Sequence, residues 1–545
     1  MKKYTIGIDF GTLSGRCVVV DCENGREIAE AVCDYPHAVM DMELPCGRKL
    51  PEHYALQHPS DYLTVLRSVV PEAVQKAGIS PEEVAGLGID FTSCTVLPVD
   101  KVGQPLCLRP EYESEPHAYV KLWKHHAAQP EADEINALAA AREEKWLPNY
   151  GGKLSSEWML PKVLEILRHA PGVYADTARF MEAADWVIST LVGEEIYSNS
   201  YAGYKALYYN GAYPSNDFMT ALDKGLDGIV GTKLSEKIGS VSTMAGTLCA
   251  KGAELLSLPE GTPVAIPQID GHSAIPALQI TGPGELMLIM GTSTCHIVNA
   301  QTGDPVSGIC GCVKDAVIPG LYTYEAGQAA VGDIFDWFVK NQTPAAYQAE
   351  ADRRGISLHT LLTEKAEKQA VGESGLLALD WHNGNRSVLD DSQLSGLILG
   401  LKLTTKPEDI YRALLEATAF GTKMIVDNLE NSRVAIDSVK VAGGIAHKNP
   451  LLMQIYADVL GREINLCQST QAGALGSAIY AAVASGVYPD MPSAAAAMGA
   501  PVVKTYVPDP ENHKAYEKLY AEYAQLYDYF GRGGNDVMKR LLGKQ

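Results

Sequence analysis

The chain has 545 residues, enough for two large domains, and its 46% apolar and 20% charged content marks an ordinary globular protein. A formal charge of −21 argues against a polyanion-binding surface, which needs clustered Lys and Arg, so no nucleic-acid partner is expected. The opening MKKYTIGIDFGT lacks the apolar core of an export signal, and the least charged long stretch, 286–303, is broken by polar residues, so the protein is read as cytoplasmic with no membrane partner.

Residues 6–20, IGIDFGTLSGRCVVV, read as a strand, a Gly11-Thr12 turn and a second strand, followed by a third strand over 26–36. SDYLTVLRSVVPEAVQKA at 60–77 predicts a helix capped by Ser60, with Pro71 a possible break. VAGLGIDFTSCTVLPVD at 84–100 is strand, loop, strand, with Asp90 and Thr92–Thr95 at the loop. Helical patterns dominate from about 115 to 190, KLWKHHAAQ at 121–129 included, which makes His125 and His126 helix-surface histidines. TPVAIPQID at 262–270 is a buried strand ending in Asp270-Gly271 and closes the first half.

The second half repeats the order. LMLIMGTSTCHIV at 286–298 is again strand, Gly291-Thr292 and strand, then a strand near 321–325 and helices at 329–341 and 407–430. VKVAGGIAHKNPLLMQIYADVLGREINL at 439–466 ends a strand at Gly443-Gly444 and opens a helix near Asn449-Pro450 that stops at Gly461. GALGSAIYAAVASG at 473–486 is a small-residue helix suited to close packing. The eleven cysteines are expected to be reduced, and Cys310 and Cys312 form a lone CxC without zinc-like spacing.

Two Gly-Thr hairpins, one opening each half, suggest a nucleotide clamped between related domains. Glycine there reaches backbone angles closed to other residues and clears space, and hydroxyls beside free N–H groups suit phosphate. The copies differ at Asp9, whose counterpart is Ile289, so a hard cation such as Mg²⁺ is expected on the first hairpin's side. Neither GxxxxGK[ST] nor a strand-following GxGxxG is present. Taken alone, Asp270-Gly271 reads more readily as a turn than as a carboxylate at a cleft. Lys205 and Glu325 are charges inside apolar-aromatic runs, open to reading as a structural ion pair.

The three glycine elements, in this order, resemble the phosphate and adenosine motifs of the actin-like ATPase fold. KLWKHHAA, IDGHSAIPAL, GGIAHKNPLLMQIYADVLG and GALGSAIYAA resemble the FGGY carbohydrate kinase family along nearly the whole chain. GGKLSSEWMLPKVL, EAGQAAVGD and LDWHNGNRSVLDDSQLSGLILGL are similar to members acting on L-ribulose in L-arabinose catabolism. The resemblance implies an α/β protein of two ribonuclease H-like domains, 1–270 and 271–545, around a nucleotide and sugar cleft. It implies ATP and Mg²⁺, with Asp270 as the catalytic base and Asp9 toward the metal. Gly11, Thr12, Arg16, Gly291 and Thr292 would lie at the phosphates, and Gly443, Gly444 and Asn449 at adenosine. Ser93, Cys94, Lys205 and Glu325 would reach the sugar, with Trp123 as an apolar wall and His272 helping to position Asp270. Other ketopentoses or polyols, D-ribulose or ribitol among them, remain alternative acceptors. An actin- or chaperone-like ATPase remains a further alternative, and the chain is compatible with a homodimer.

Overall fold

The computed structural model describes residues 3–469 and 471–543. Alternating apolar residues build two sheets of matching design. In the first half Glu27–Asp34, Ser14–Asp21 and Tyr4–Phe10 are antiparallel neighbours, and Val84–Phe91 then joins Tyr4–Phe10 in parallel, followed by Pro263–Ala265. In the second half Tyr322–Gln328, Thr294–Ala300 and Glu285–Met290 repeat the antiparallel trio, and Ser438–Ala442 and Ile464–Cys467 repeat the parallel pair. Antiparallel edge strands complete the sheets, Met244–Thr247 in the first and Val502–Tyr506 and Gly311–Lys314 at the two edges of the second. The repeat thus extends well beyond the hairpins to whole sheets.

Two short helices join the halves. Asp270–Ala277 begins where the strand Gln268–Ile269 ends and packs against Ala472–Ala484, which itself lies on the strands Tyr4–Phe10 and Val84–Phe91 of the other half. Small residues are required there. A β-carbon at Gly476 would stand 1.7 Å from Ser273 O, and one at Gly7 1.8 Å from Ala474 O. The first half also carries an inserted unit with its own apolar core, from Met40 to Leu234, around the sheet Leu56–Gln57, Val120–Lys121, Val96–Val99 and Arg179–Glu182.

Three expectations are corrected. The first long helix is Pro59–Ala77, with His58 as its cap in place of Ser60, since the His58 ring accepts from Ser60 N. KLWKHHAAQ is strand and turns, and the helix begins only at Gln129. Its i, i+4 spacing looks helical because Lys121 and His125 converge on one buried carboxylate, Glu165, at 3.0 Å from each. His125 is therefore fully buried, while His126 is exposed beside Glu157.

Candidate active site

The first hairpin is pinned from outside. Gly11 N bonds Ser14 O at 3.0 Å, Tyr35 Oη donates to Gly11 O, and Gln57 Nε2 donates to Thr12 O. Trp123 Nε1 donates to Thr12 Oγ1 at 3.1 Å, so the indole, expected as a sugar wall, turns its polar edge to the phosphate hairpin. The second hairpin is tied to the start of the helix Gly332–Gln342, where Val331 N donates to Thr292 O and Gly332 N to Gly291 O. Neither Gly11 nor Gly291 has positive φ, so their value is the missing side chain rather than an unusual backbone. The nearest atom to an added β-carbon is 3.5 Å away at Gly11 and 3.7 Å at Gly291.

Three carboxylates gather at the C-terminal ends of the first sheet's parallel strands. Asp9 and Asp90 are register partners, Asp90 is in turn the partner of Gln268, and Asp270 follows two residues later. Burial raises Asp9, against the opposing pull of Asp90 and Arg16. Burial and the charges of Asp9 and Asp270 hold Asp90 well above the usual carboxylate range. Ser477 Oγ donates to Asp90 Oδ2 at 2.7 Å, while Asp90 Oδ1 is buried with no hydrogen-bond partner among the described residues. Asp270 Oδ1 accepts from Gly271 N, and burial together with Asp9 pushes this carboxyl up to about 7. Arg16 is the register partner of Asp9 on the hairpin, and its Nε is buried without a partner among the described residues.

Lys205 ends the helix Asn199–Lys205 and pairs with Glu325 of the second half at 3.0 Å. Burial alone would raise Glu325, but Lys205 and His272 outweigh it and hold the carboxyl well below its ordinary value. His272 Nε2 lies 3.2 Å from Glu325 Oε2, so its contacts run to Glu325 and not to Asp270 as expected. Ser93 is half-buried on the loop between two strands, whereas Cys94 takes φ 57° and turns its thiol into the inserted unit's core, where burial raises it to about 12. Cys310 and Cys312 flank Gly311 at the start of a strand, and all eleven cysteines are free.

At the third glycine element, Gly443 has φ 108° and a β-carbon there would meet Met290 O at 2.3 Å, so only glycine fits. Gly444 faces open space. Asn449 caps the helix Pro450–Leu460, its Oδ1 accepting from Leu452 N. A cavity of about 650 Å³ opens beside this region, lined by Ala330, Asp333, Ile334, Trp337 and His382 among others.

Three residues at the site escaped the sequence reading. Asp90 was seen only as a loop marker, although an acid inside VAGLGIDF breaks an otherwise apolar strand. Lys162 is fully buried and donates to Cys94 O at 2.6 Å and Leu122 O at 3.0 Å, joining the Ser93 loop to the Trp123 segment. Arg386 stands over the strand that carries Glu325, with no local signal in sequence.

The N-terminal domain of the FGGY family of carbohydrate kinases matches residues 4–275, and the family's C-terminal domain matches 286–485. Ribulokinases of Geobacillus thermodenitrificans and Halalkalibacterium halodurans are each 51% identical to this chain, covering 99% of it and 97% of their own length. The ribulokinase of Mycolicibacterium smegmatis is also 51% identical, over 99% of this chain and 96% of its own. In fold, the chain matches the xylulose kinase of Rhodospirillum rubrum with a TM-score of 0.80 at 24% identity, over 96% of this chain and 98% of that one. It matches a Plasmodium falciparum glycerol kinase with ADP at 0.76 and 17%, over 96% and 97%. The paired sheets and the hairpins between them are those of a two-domain sugar kinase. The chain belongs to the FGGY family of carbohydrate kinases, and is an ATP-using enzyme acting on a small sugar. That membership sets aside the actin- or chaperone-like alternative.

Proposed function

We propose that this chain transfers the γ-phosphoryl group of ATP to the terminal hydroxyl of L-ribulose, giving L-ribulose 5-phosphate in L-arabinose catabolism. The observation that carries the reading is Asp270, a carboxyl at the junction of the halves held near pH 7, where a general base is most effective. The ribulokinase relatives support the choice of acceptor.

As the hydroxyl oxygen attacks phosphorus, its proton passes to Asp270. The new O–P bond forms while the bond to the bridging oxygen breaks, and ADP leaves. Gly11, Thr12 and Arg16 from one side and Gly291 and Thr292 from the other hold the phosphates, and Gly443 and Gly444 give the purine access to backbone. Asn449 supports that element by capping its helix. Ser93, Lys205 and Glu325 bind the sugar, with Cys94 and Trp123 shaping the loop around it.

The donor set fits Mg²⁺: hard oxygens, three carboxyls in one cluster, and a buried Asp90 oxygen still without a partner. Asp9 would hold the ion, with Asp90 beside it, and the ion's charge would offset that of the phosphates. Domains spanning 1–270 and 271–545, a cytoplasmic setting and a homodimer complete the proposal. Limited proteolysis, cell fractionation and light scattering test these in turn.

ADP release with Mg-ATP tests the reaction across L-ribulose, D-ribulose, both xyluloses, ribitol, glycerol and no sugar. Stimulation greatest with L-ribulose and lost in Asp270→Asn is expected. A different best acceptor overturns the substrate choice, and full turnover in Asp270→Asn overturns the base.

A further inference from the structure

The half-buried guanidinium of Arg386 makes no hydrogen bond and no ion pair among the described residues. Such a cation usually finds a carboxylate, and one left unpaired in a protein interior is costly. Its loop is nonetheless firmly held. Gly327 N donates to Ser387 Oγ, Asn385 and Asp391 exchange backbone hydrogen bonds at 2.9 and 2.8 Å, and Lys153 from the other half donates to Asp390 O. The cation is therefore presented, rather than loose.

It is presented to the catalytic cleft. A β-carbon at Gly327 would lie 3.5 Å from Arg386 Cδ and 3.8 Å from Nη1. Gly327 is the register partner of Cys295 on the strand that leaves the second phosphate hairpin, and Glu325 is two residues away on the same sheet face. Arg386 thus sits between the Gly291-Thr292 turn and the Lys205–Glu325 pair. Glu157 and Glu325 favour its charge from beyond ion-pair distance, but neither contacts it. Glu325 already has Lys205 and His272, and Glu157 has His126 at 3.1 Å. A neutral sugar offers no anion to neutralise it, whereas a phosphoryl group crossing from hairpin to sugar does.

The geometry points to Arg386 as the side chain that grips the phosphoryl group during transfer and the phosphate of the product afterwards. This rests on the kinase reading above. The guanidinium would bind two phosphoryl oxygens in fork geometry, with no proton moved. It adds a positive charge in the second half, opposite Arg16 in the first.

The test compares wild type, Arg386→Lys and Arg386→Gln with whichever acceptor the wild type phosphorylates fastest, so an error in the acceptor shows in the wild type alone. Arg386→Gln is expected to lose about 100-fold in kcat, as for removal of one preorganised donor. Its KM for sugar should stay within about threefold, and Arg386→Lys should recover part of the loss. Calorimetry supplies the second readout: affinity for the phosphorylated product falls at least about tenfold while that for the free sugar holds. A kcat within threefold of wild type, or equal weakening of sugar and sugar phosphate, overturns the assignment.

Discussion

Lys205 Nζ and Glu325 Oε2 meet at 3.0 Å across the two halves of the molecule, one from a helix of the first and one from a strand of the second. Lys205 is buried and Glu325 half-buried, and His272 gives Glu325 a second partner. An ion pair so placed ties the halves together, and the proposed function also gives it the sugar. Lys205→Ala should raise the KM for sugar by about tenfold or more, since a charged hydrogen bond contributes roughly 1.5–3 kcal/mol, while the KM for ATP moves little. Removing Lys205 leaves Glu325 with only His272 beside it and should also lower stability by about 3 kcal/mol, because breaking a largely buried pair strands a charge. Steady-state kinetics with both substrates and a denaturant melt check the two effects. Equal changes in both KM values would deny the sugar role.

Asp270 titrates near 7, so turnover should rise with pH through an acid limb of that apparent value and fall about tenfold per unit below it. The stability effect runs the other way. The folded carboxyl has a higher pKa than the unfolded one, so the folded state binds more protons between about pH 4 and 7 and loses stability as pH rises through that window. Asp270→Asn should therefore be inactive yet melt at or above the wild-type temperature at pH 8. A lower melting temperature would mean that Asp270 is structural.

The hairpin pair was legible because apolar alternation interrupted by Gly-Thr is a local pattern, whereas the sheet order, set by crossovers between distant strands, was not. Asp270 was legible as a strand end. Lys121, Trp123 and His125 misled because Lys121 and His125 meet on Glu165 while Trp123 between them turns to Thr12, partners that only tertiary structure reveals. Lys162 and Arg386 were invisible for the same reason: their meaning lies in atoms 40 to 60 or more residues away. The Lys205–Glu325 pair was open to a structural reading, and its geometry serves that reading as well as the functional one.

Two glycines separate packing from binding. At Gly476 a methyl group would collide with Ser273 backbone, so Gly476→Ala should cost about 1–3 kcal/mol or more and loosen the contact between the joining helices. At Gly444 there is open space and a helical conformation, so Gly444→Ala should leave the melt unchanged and weaken ATP binding where the purine approaches. Unchanged ATP affinity in Gly444→Ala would move the adenosine site elsewhere.

Glu165 is the sole carboxylate paired with Lys121 and His125 among the described residues, and all three are buried. Burial pulls Lys121 below the ordinary lysine range even with Glu165 present, and it pulls His125 down to about 3, leaving the imidazole neutral. Glu165→Gln removes the countercharge, and its cost at pH 7 should be about 3–5 kcal/mol. The sign with pH follows from Lys121. Its folded pKa lies below its unfolded one, so the unfolded state binds more protons and stability rises with pH over the alkaline range up to the unfolded value. In Glu165→Gln that gap widens, so its melting temperature should climb from pH 7 to pH 9 and narrow the distance to wild type. A constant deficit across that range would mean that the loss comes from packing, with Lys121 already neutral in the native protein.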